Sequence, residues 1–181
     1  MCFKLHPFAK LAITNYLTAL EKSPILVKAV TSGFVYLMGD LFSQKSAKKK
    51  EISKRRLIGS GMSGMVFHGP ISHAWYGWLD HFIEHTLSMT QWWNIFPMVA
   101  MDCFIFCPTW NAIYVGCMGL VFKNKLSNVL RDIKTTCIPL LKSGLKLWVP
   151  ANFITYGLVP LPLRVLWCDC VEFVWCIIMS K

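Results

Sequence analysis

Charged side chains are scarce in this sequence, and their scarcity decides the broad class of protein. Only 15% of the 181 residues are Asp, Glu, Lys or Arg, whereas 55% are hydrophobic. The mean hydropathy is +0.46. Soluble domains carry about 25% charged residues, so the composition argues against a typical soluble domain. It predicts an all-α integral membrane protein that crosses the bilayer several times.

Acidic residues are the scarcer charged class: 9 Asp and Glu stand against 19 Lys and Arg, which gives a formal net charge of +10. Such an excess is typical of proteins that bind nucleic acid or an anionic membrane surface. The sequence lacks a Lys- and Arg-rich recognition helix, and it lacks basic stretches interleaved with aromatic residues on which bases stack. We therefore predict the lipid bilayer as a partner and no nucleic acid.

Motifs of catalysis are also missing. There is no G-x-S-x-G, Walker A or G-x-G-x-x-G pattern, and none of the eight cysteines forms the C-x-x-C pair that zinc and redox sites favour. His81, Glu84 and His85 match the H-x-x-E-H pattern of one metalloprotease class. This pattern lacks a third ligand and lies in a short loop between two apolar stretches, so we interpret it as an interfacial polar cluster. The sequence predicts no enzyme, no catalytic residue, no metal and no cofactor.

Apolar stretches long enough to cross a bilayer define the predicted domain. A hydrocarbon layer of about 30 Å needs roughly 20 helical residues at 1.5 Å per residue. A single membrane domain over residues 1–181 is predicted, with about four transmembrane helices at residues 24–42, 57–78, 95–122 and 161–179. Pro150 and Pro160 lack an N–H donor and disfavour helix in the residue before them. We therefore expect an interrupted segment before the last span.

The polar segments between these spans predict the topology. Residues 44–56 form a basic loop, and residues 123–146 form an amphipathic helix that we expect to lie on the membrane surface. Residues 1–23 fit a second, shorter amphipathic helix. The loop at residues 80–91 has no Lys or Arg. With four spans, the positive-inside rule places both basic segments in the cytosol and both termini on the opposite side.

Several polar residues fall inside or near the ends of the predicted spans, where an unpaired ionisable group costs several kcal/mol. They are Asp40, His68, His73, Asp102, Asn111, Asn152, Arg164, Asp169 and Glu172. Two interpretations are open: the residues line an aqueous pore, or they form hydrogen bonds and ion pairs between helices. Asp169 and Glu172 are three residues apart and share a helix face. We expect this pair to face an aqueous path and to favour cations, with Asp40 and Asp102 as secondary contributors.

A set of motifs spread along most of the chain resembles the peroxisomal 22-kilodalton membrane protein and Mpv-seventeen family. The motif residues are Gly39, Gly69, Pro70, Trp75, Tyr76, Asp80, Pro108, Trp148, Pro150, Pro160 and Trp175. The match departs from the family pattern at Cys103, where glutamine is usual, and at Asn152 and Thr155, where Gln and Asn are usual. Asp169 stands where the family commonly has Asn, and Glu172 adds a further acid.

The resemblance implies a fold of four spans and a weakly selective, homo-oligomeric pore for small solutes and metabolites. The motif details, including Gly69 to His73, are most similar to the branch of peroxisomal membrane protein two. This favours the peroxisomal membrane as the location, with the mitochondrial inner membrane as the alternative. The competing function is a non-conducting scaffold or assembly factor, in which the acidic residues hold helices together.

Overall fold

The computed structural model describes residues 7–47, 51–89 and 91–178. These ranges contain no strand and fold into eight α-helices joined by short π-helical and 3-10 segments. The helices are α1 (Pro7–Lys22), α2 (Pro24–Ser46), α3 (Lys54–Ser63), α4 (Gly69–His81), α5 (Ile95–Met101), α6 (Cys107–Val121), α7 (Leu126–Gly157) and α8 (Arg164–Ile178). The all-helical class that was predicted is confirmed for the described ranges.

Helix α2 begins at a proline, as expected, and continues beyond the predicted end of the first span. Pro24 occupies the first turn, where its missing N–H costs nothing. The helix ends at Ser46, so the basic loop does not begin at residue 44 as predicted. Gln44 explains the extension, because its Oε1 accepts a hydrogen bond from the backbone N–H of Ser53 at 2.7 Å and ties the end of α2 to the start of α3. Three lysines of the predicted loop, residues 48–50, lie outside the described residues.

The second predicted span is one helical run that includes α3, a π-helical turn at Gly64–His68, α4 and a second π-helical turn at Phe82–Thr86. Its small residues let it pack closely on α2. A Cβ at Gly64 would lie 2.7 Å from the backbone oxygen of Ser32, and a Cβ at Gly69 would lie 2.6 Å from Ala29 Cα. Only glycine permits so close an approach of the two backbones at these positions.

The third predicted span consists of a 3-10 turn at Trp92–Asn94, then α5, a π-helical turn at Asp102–Phe106, and α6. Pro108 lies in the first turn of α6, and the π-helical turn before it accommodates the missing N–H. Within the described ranges, two helical segments are long and apolar enough to be candidate membrane spans: Pro24–Ser46, with 23 residues, and Trp92–Val121, with 30 residues. Four transmembrane helices are therefore not confirmed.

Helix α7 corrects two predictions. The amphipathic segment at residues 123–146 is not a separate helix, and Pro150 does not interrupt the chain, because α7 is one helix of 32 residues with Pro139 and Pro150 inside it. Both proline rings are exposed on the outer side, so the packed side of the helix stays intact. The chain is interrupted later, at Pro160 and the 3-10 turn Leu161–Leu163 that follows it.

Helix α7 also lies beside a candidate span, in the opposite direction. Val129, near its start, contacts Gly119 near the end of α6. At the other end of α7, Asn152 Nδ2 lies 3.6 Å from Cys103 Sγ, and Gly157 packs against Ile95. The axis of α7 therefore follows α5 and α6 along most of their length, whereas the prediction placed this segment flat on the membrane surface.

The direction of α8 differs from that expected of a four-span protein. Ser32 of α2 bonds to Asp169 of α8, and Gly39 packs against Cys176, so both helices run in the same direction. Because the two helices are parallel and Gly39 is level with Cys176, the last residues of α8 lie beside the end of α2. The prediction that the C-terminal end lies opposite the basic segments is therefore wrong for the described part of α8.

Helices α2, α6 and α8 all finish at one end of the bundle. We call it the basic end. Gly59 of α3 contacts Val121 there, and the guanidinium of Arg55 lies 5.6 Å from the centre of the Phe122 ring. The two basic segments that follow α2 and α6 thus share one end, as the sequence predicted. The side of a membrane that this end faces stays a prediction.

Candidate functional site

A small cavity lies between α4, α6, α7 and α8. Its volume is about 30 Å³, which is room for two or three water molecules, since one water needs about 10–15 Å³ of such space. Four of the predicted in-membrane polar residues line it: His68, Asp102, Asn111 and Glu172. Three residues of the motif set complete much of its wall: Tyr76, Trp148 and Trp175. A space of this volume is too small for a metabolite.

Asp169 lies beside this cavity and connects three helical segments. Its Oδ2 accepts a hydrogen bond from Ser32 Oγ at 2.8 Å, and its Oδ1 lies 3.1 Å from Nδ1 of His68, which forms an ion pair when the imidazole is protonated. The carboxylate thus stands between the serine and the histidine. In a hydrolase triad the histidine stands between the acid and the serine, so this arrangement holds helices together and does not activate Ser32.

Asp102 is almost fully buried at the other side of the cavity. Its Oδ1 accepts a hydrogen bond from the indole Nε1 of Trp75 at 2.8 Å, which joins α4 to the π-helical turn before α6. The neighbouring Tyr76 hydroxyl lies 2.9 Å from Cys168 Sγ of α8. The motif residues Trp75 and Tyr76 therefore act as bridges from α4 to two other helices.

Asp40, at the basic end, does not face the cavity. Its Oδ1 lies 2.7 Å from Nε of Arg56, and its Oδ2 accepts a hydrogen bond from Gln44 Nε2 at 2.6 Å. The Asp40 side chain is 2% exposed and that of Arg56 is 33% exposed. This cluster links the end of α2 to the start of α3.

Arg164 is at the opposite end of the bundle and also lies away from the cavity. Its Nη1 bonds to Asp80 Oδ1 at 2.5 Å, its Nε donates to the backbone oxygen of Val159 at 3.2 Å, and its guanidinium lies 5.1 Å from the centre of the Tyr156 ring. Arg164 and Asp80 are both recognisable in the sequence as polar or motif residues. Their pairing is not recognisable, because they are far apart in the chain and no spacing rule connects them.

His73 forms a third separate contact, with Lys28 of α2. The two nitrogens, Lys28 Nζ and His73 Nδ1, lie 2.9 Å apart, and Lys28 is buried with 4% of its surface exposed. Asn152 is fully buried beside Cys103 and does not reach the cavity lining. The structure therefore gathers part of the predicted polar set around one cavity and distributes the rest among contacts between helices. Whether any of these residues lines a conducting path stays a prediction.

The remaining motif residues have structural positions. Gly39 faces α8, where a Cβ would make an ordinary van der Waals contact with Cys176 Sγ at 3.4 Å. Pro70 and Pro108 lie in the first turns of α4 and α6, and Pro160 precedes the 3-10 turn before α8.

His81, Glu84 and His85 are exposed. They lie in a helical segment, although the sequence predicted a loop, because α4 and its following π-helical turn extend to Thr86. The ring centres of His81 and His85 are 4.5 Å apart. Within the described part of the chain, no group of three or more His, Cys, Asp or Glu side chains is arranged to hold a metal.

The outer face of α7 carries a basic stripe that sequence reasoning did not identify as a site. Arg131, Lys142 and Lys146 are exposed, and at 3.6 residues per turn they fall within about 60° of one another around the helix. The apolar residues Ile138 and Phe153 lie on the same face. The periodicity of residues 123–146 was visible in the sequence, but the position of this face beside a candidate span was not.

The basic stripe lacks acidic partners. None of its three side chains lies within 4.0 Å of a carboxylate in the described ranges. The acid on α7, Asp132, lies off the stripe in a groove with Tyr114 and Gly119 of α6.

Comparison with known proteins supports the resemblance seen in the motifs. The sequence model of the Mpv17 / PMP22 family matches residues 119–180. The chain is 25% identical over 178 residues to "Peroxisomal membrane protein 2" of Bos taurus, which covers 94% of this chain and 89% of that protein. It is 26% identical over 175 residues to "Peroxisomal membrane protein PMP22" of Arabidopsis thaliana, with 96% and 90% covered.

A third relative carries the name of another organelle. "Mitochondrial inner membrane protein Mpv17" of Caenorhabditis briggsae is 26% identical over 163 residues, with 90% of this chain and 88% of that protein covered. No solved structure matches the chain. The similarity to these relatives covers nearly the whole chain, including the segments that carry the cavity and α7. The chain is therefore similar to the Mpv17 / PMP22 family of membrane proteins, through the family model over residues 119–180 and through relatives of about 25% identity over most of its length.

Proposed function

We propose that this chain forms a weakly selective pore for small solutes in an organelle membrane and that several copies together form the path. The observation that carries the proposal is the position of charged side chains on α7. Lys142 lies between Leu141 and Gly144 in the chain. Leu141 and Gly144 line the cavity together with Cys107 and Asn111 of α6. Lys142 is therefore level with the middle of the candidate span Trp92–Val121.

A lysine at that level is expensive in lipid. Insertion scales give about 2.5–3.5 kcal/mol for a Lys at the centre of a membrane helix. The ends of the candidate span are each about 20 Å away along the axis, farther than a lysine side chain reaches. Lys142 and Lys146 are exposed and have no carboxylate partner in the described ranges. Water on this face of α7 removes the cost, and a path between copies supplies the water.

We place the path between chains, because the cavity between α4, α6, α7 and α8 has a volume of only about 30 Å³ and the larger spaces found in the described ranges are open surface grooves. The other outer surfaces suit lipid. Phe104 is 66% exposed, Leu120 is 70% exposed and Phe34 of α2 is 65% exposed. A ring of copies with these apolar surfaces outward and α7 inward satisfies both sets of residues.

The test is solute flux through purified protein in liposomes of defined lipid. We expect a conductance in planar bilayers and release of small solutes from proteoliposomes, with protein-free liposomes as the control. Alkaline carbonate extraction and protease protection establish insertion before the measurement. Fully inserted protein that shows neither conductance nor release would refute the pore.

The second candidate function is a non-conducting scaffold or assembly factor. A specific observation favours it: Asp40, Asp80 and Asp169 each contact a basic or imidazole group on another helical segment. These contacts are what interhelical attachment requires. A scaffold predicts that partner proteins are retained through native purification and that flux is absent.

We propose the peroxisomal membrane as the location, with the mitochondrial inner membrane as the alternative. The name of the relative from Bos taurus includes the peroxisomal membrane, and the name of the relative from Caenorhabditis briggsae includes the mitochondrial inner membrane. Tagged protein at native expression should colocalise with a peroxisomal marker. Colocalisation with an inner mitochondrial marker alone would select the alternative.

A further inference from the structure

We propose that the basic face of α7 lines the aqueous path between copies of this chain and makes the path favour small anions that carry carboxylate or phosphate groups. This inference rests on the proposed pore function and specifies its solute class. It differs from the expectation that acidic residues set a cation preference, because it locates the path at another surface of the bundle.

The stripe is long enough to influence a path over much of its length. Arg131 and Lys146 are 15 residues apart, which is about 22 Å along a helix. Arg131 lies near the basic end, since Val129 packs on Gly119 close to the end of α6. The two lysines lie near the middle of the candidate span. A solute that follows α7 from the basic end therefore meets positive charge first at the mouth and again halfway.

Among the residues that the structure describes, no carboxylate neutralises these basic charges. Arg131 makes a weak side-chain contact with Asn128 at 3.5 Å, which leaves its charge uncompensated. The positive potential of an exposed, unpaired row attracts anions, and low-dielectric walls strengthen it.

The acidic residues that would oppose this preference are directed elsewhere. Asp169 is bonded between Ser32 and His68 inside the bundle, and Asp102 is bonded to Trp75. Glu172 lines the inner cavity. None of the described acids shares the outer face of α7 with the three basic residues, so the sign of that face is positive.

Two residues of a neighbouring helical segment provide an internal reference. Phe104 and Ile105 belong to the π-helical turn before α6, and they are 66% and 48% exposed. They lie near the level of Lys146, because α7 runs past this turn between its contacts Val129 with Gly119 and Asn152 with Cys103. At neighbouring depths of the candidate span, therefore, one outer surface is aromatic and aliphatic while the surface of α7 is cationic.

The first experiment measures selectivity. Purified protein in planar bilayers is placed in a potassium chloride gradient, and then in a potassium succinate gradient. We expect the wild-type reversal potential to indicate anion preference. The double variant Lys142→Gln/Lys146→Gln should move it toward zero, and Lys142→Glu/Lys146→Glu should reverse its sign. Lys45→Gln is the matched control, because Lys45 is exposed and basic but lies in the last turn of α2.

The second experiment tests whether the face is wet, without relying on conductance. Lys142→Cys and Phe104→Cys are compared in sealed proteoliposomes for modification by a membrane-impermeant thiol reagent, with the unsubstituted chain as the background for its native cysteines. We expect faster modification at Lys142→Cys than at Phe104→Cys, and equal modification after denaturation.

The outcomes separate this inference from the pore itself. Conductance with a reversal potential that the lysine variants do not move, or equal slow modification at both cysteines, would overturn the inference and leave the pore standing. A cation preference lost in Asp169→Asn would do the same and would return selectivity to the acidic residues. Inserted protein without any conductance would overturn the pore, and with it the solute path that the inference describes.

Discussion

Two regions of the molecule treat charge in opposite ways. On the packed side of the bundle, around α2 and α8, Asp40 and Asp169 are buried and each touches a basic or imidazole group. On the outer face of α7, Lys142 and Lys146 are exposed and have no acidic partner in the described ranges. A buried charge must be paired because its desolvation is costly, whereas an exposed charge keeps its field for whatever enters the water beside it.

This difference predicts which residues determine the stability of the fold and which determine solute selectivity. Removing one member of a buried pair leaves the other uncompensated in a low-dielectric site. Removing an exposed, unpaired charge leaves no uncompensated partner charge in the protein. Variants on the two sides should therefore separate unfolding from solute preference, and each of the following experiments either sharpens or breaks that separation.

The largest effect is expected from Asp169→Ala. The substitution removes the acceptor of the Ser32 hydrogen bond and the partner of His68, so the free energy of unfolding should fall by about 2–4 kcal/mol. Thermal or denaturant unfolding of the purified protein in detergent measures this change. Asp169→Asn, which keeps an acceptor for Ser32, should lose less than half as much. Equal small losses for both variants would show that the buried contact contributes little.

A smaller loss is expected from Arg56→Gln at the basic end. The pair that Arg56 makes with Asp40 is partly open to solvent, and Asp40 keeps its hydrogen bond from Gln44. We expect a fall of about 1–2 kcal/mol in the free energy of unfolding. Lys54→Gln is the control, because this neighbouring basic residue is exposed and makes no ion pair among the described residues. A loss in the control as large as that in Arg56→Gln would break the contrast between paired and unpaired charges.

Local features of the fold were predictable where short-range chemistry decides them. Pro24 begins α2 at the predicted start of the first span, and the glycines at positions 61, 64 and 69 pack on this helix. The length of α7 was not predictable from proline content alone, because Pro139 and Pro150 point outward and the packing of the opposite side preserves the helix. Sequence periodicity identified an amphipathic helix but gave no information on the surface against which it packs.

The candidate site divides in the same way. In-membrane acids and histidines were recognisable as costly residues, and four of the predicted polar residues meet at one cavity. Their partners were not recognisable, since Asp80 with Arg164 and Ser32 with Asp169 are joined only by tertiary packing. The direction of α8 has the same origin: hydropathy counts apolar stretches, and α7 is too charged to be counted even though it runs the length of a candidate span.

A variant of Asp169 tests whether a paired, buried acid also affects ion selectivity. Asp169→Asn restores the residue that the family commonly has at this position and keeps the shape of the side chain. Because Asp169 is bonded between helices, we expect an unchanged reversal potential and a loss of stability of about 1 kcal/mol. A shift toward less cation preference would show that the carboxylate is exposed to the conducted ions, as the sequence alone predicted. The measurement is the reversal potential in a potassium chloride gradient, beside an unfolding curve for the same preparation.

The smallest change in stability is expected where the largest change in selectivity is predicted. Lys142→Gln and Lys146→Gln remove charges that contact no acid among the described residues, and surface substitutions of this kind stay within about 0.5 kcal/mol of the wild type. Glutamine also has nearly the helix propensity of lysine, so α7 should keep its length. We expect unchanged unfolding curves and an unchanged oligomer size by cross-linking, together with an altered reversal potential. If the double variant instead unfolds as easily as Asp169→Ala, the two lysines are structural, because their charges then have partners in the assembled protein. In that case the outer face of α7 is a contact between copies and not a wall of the solute path.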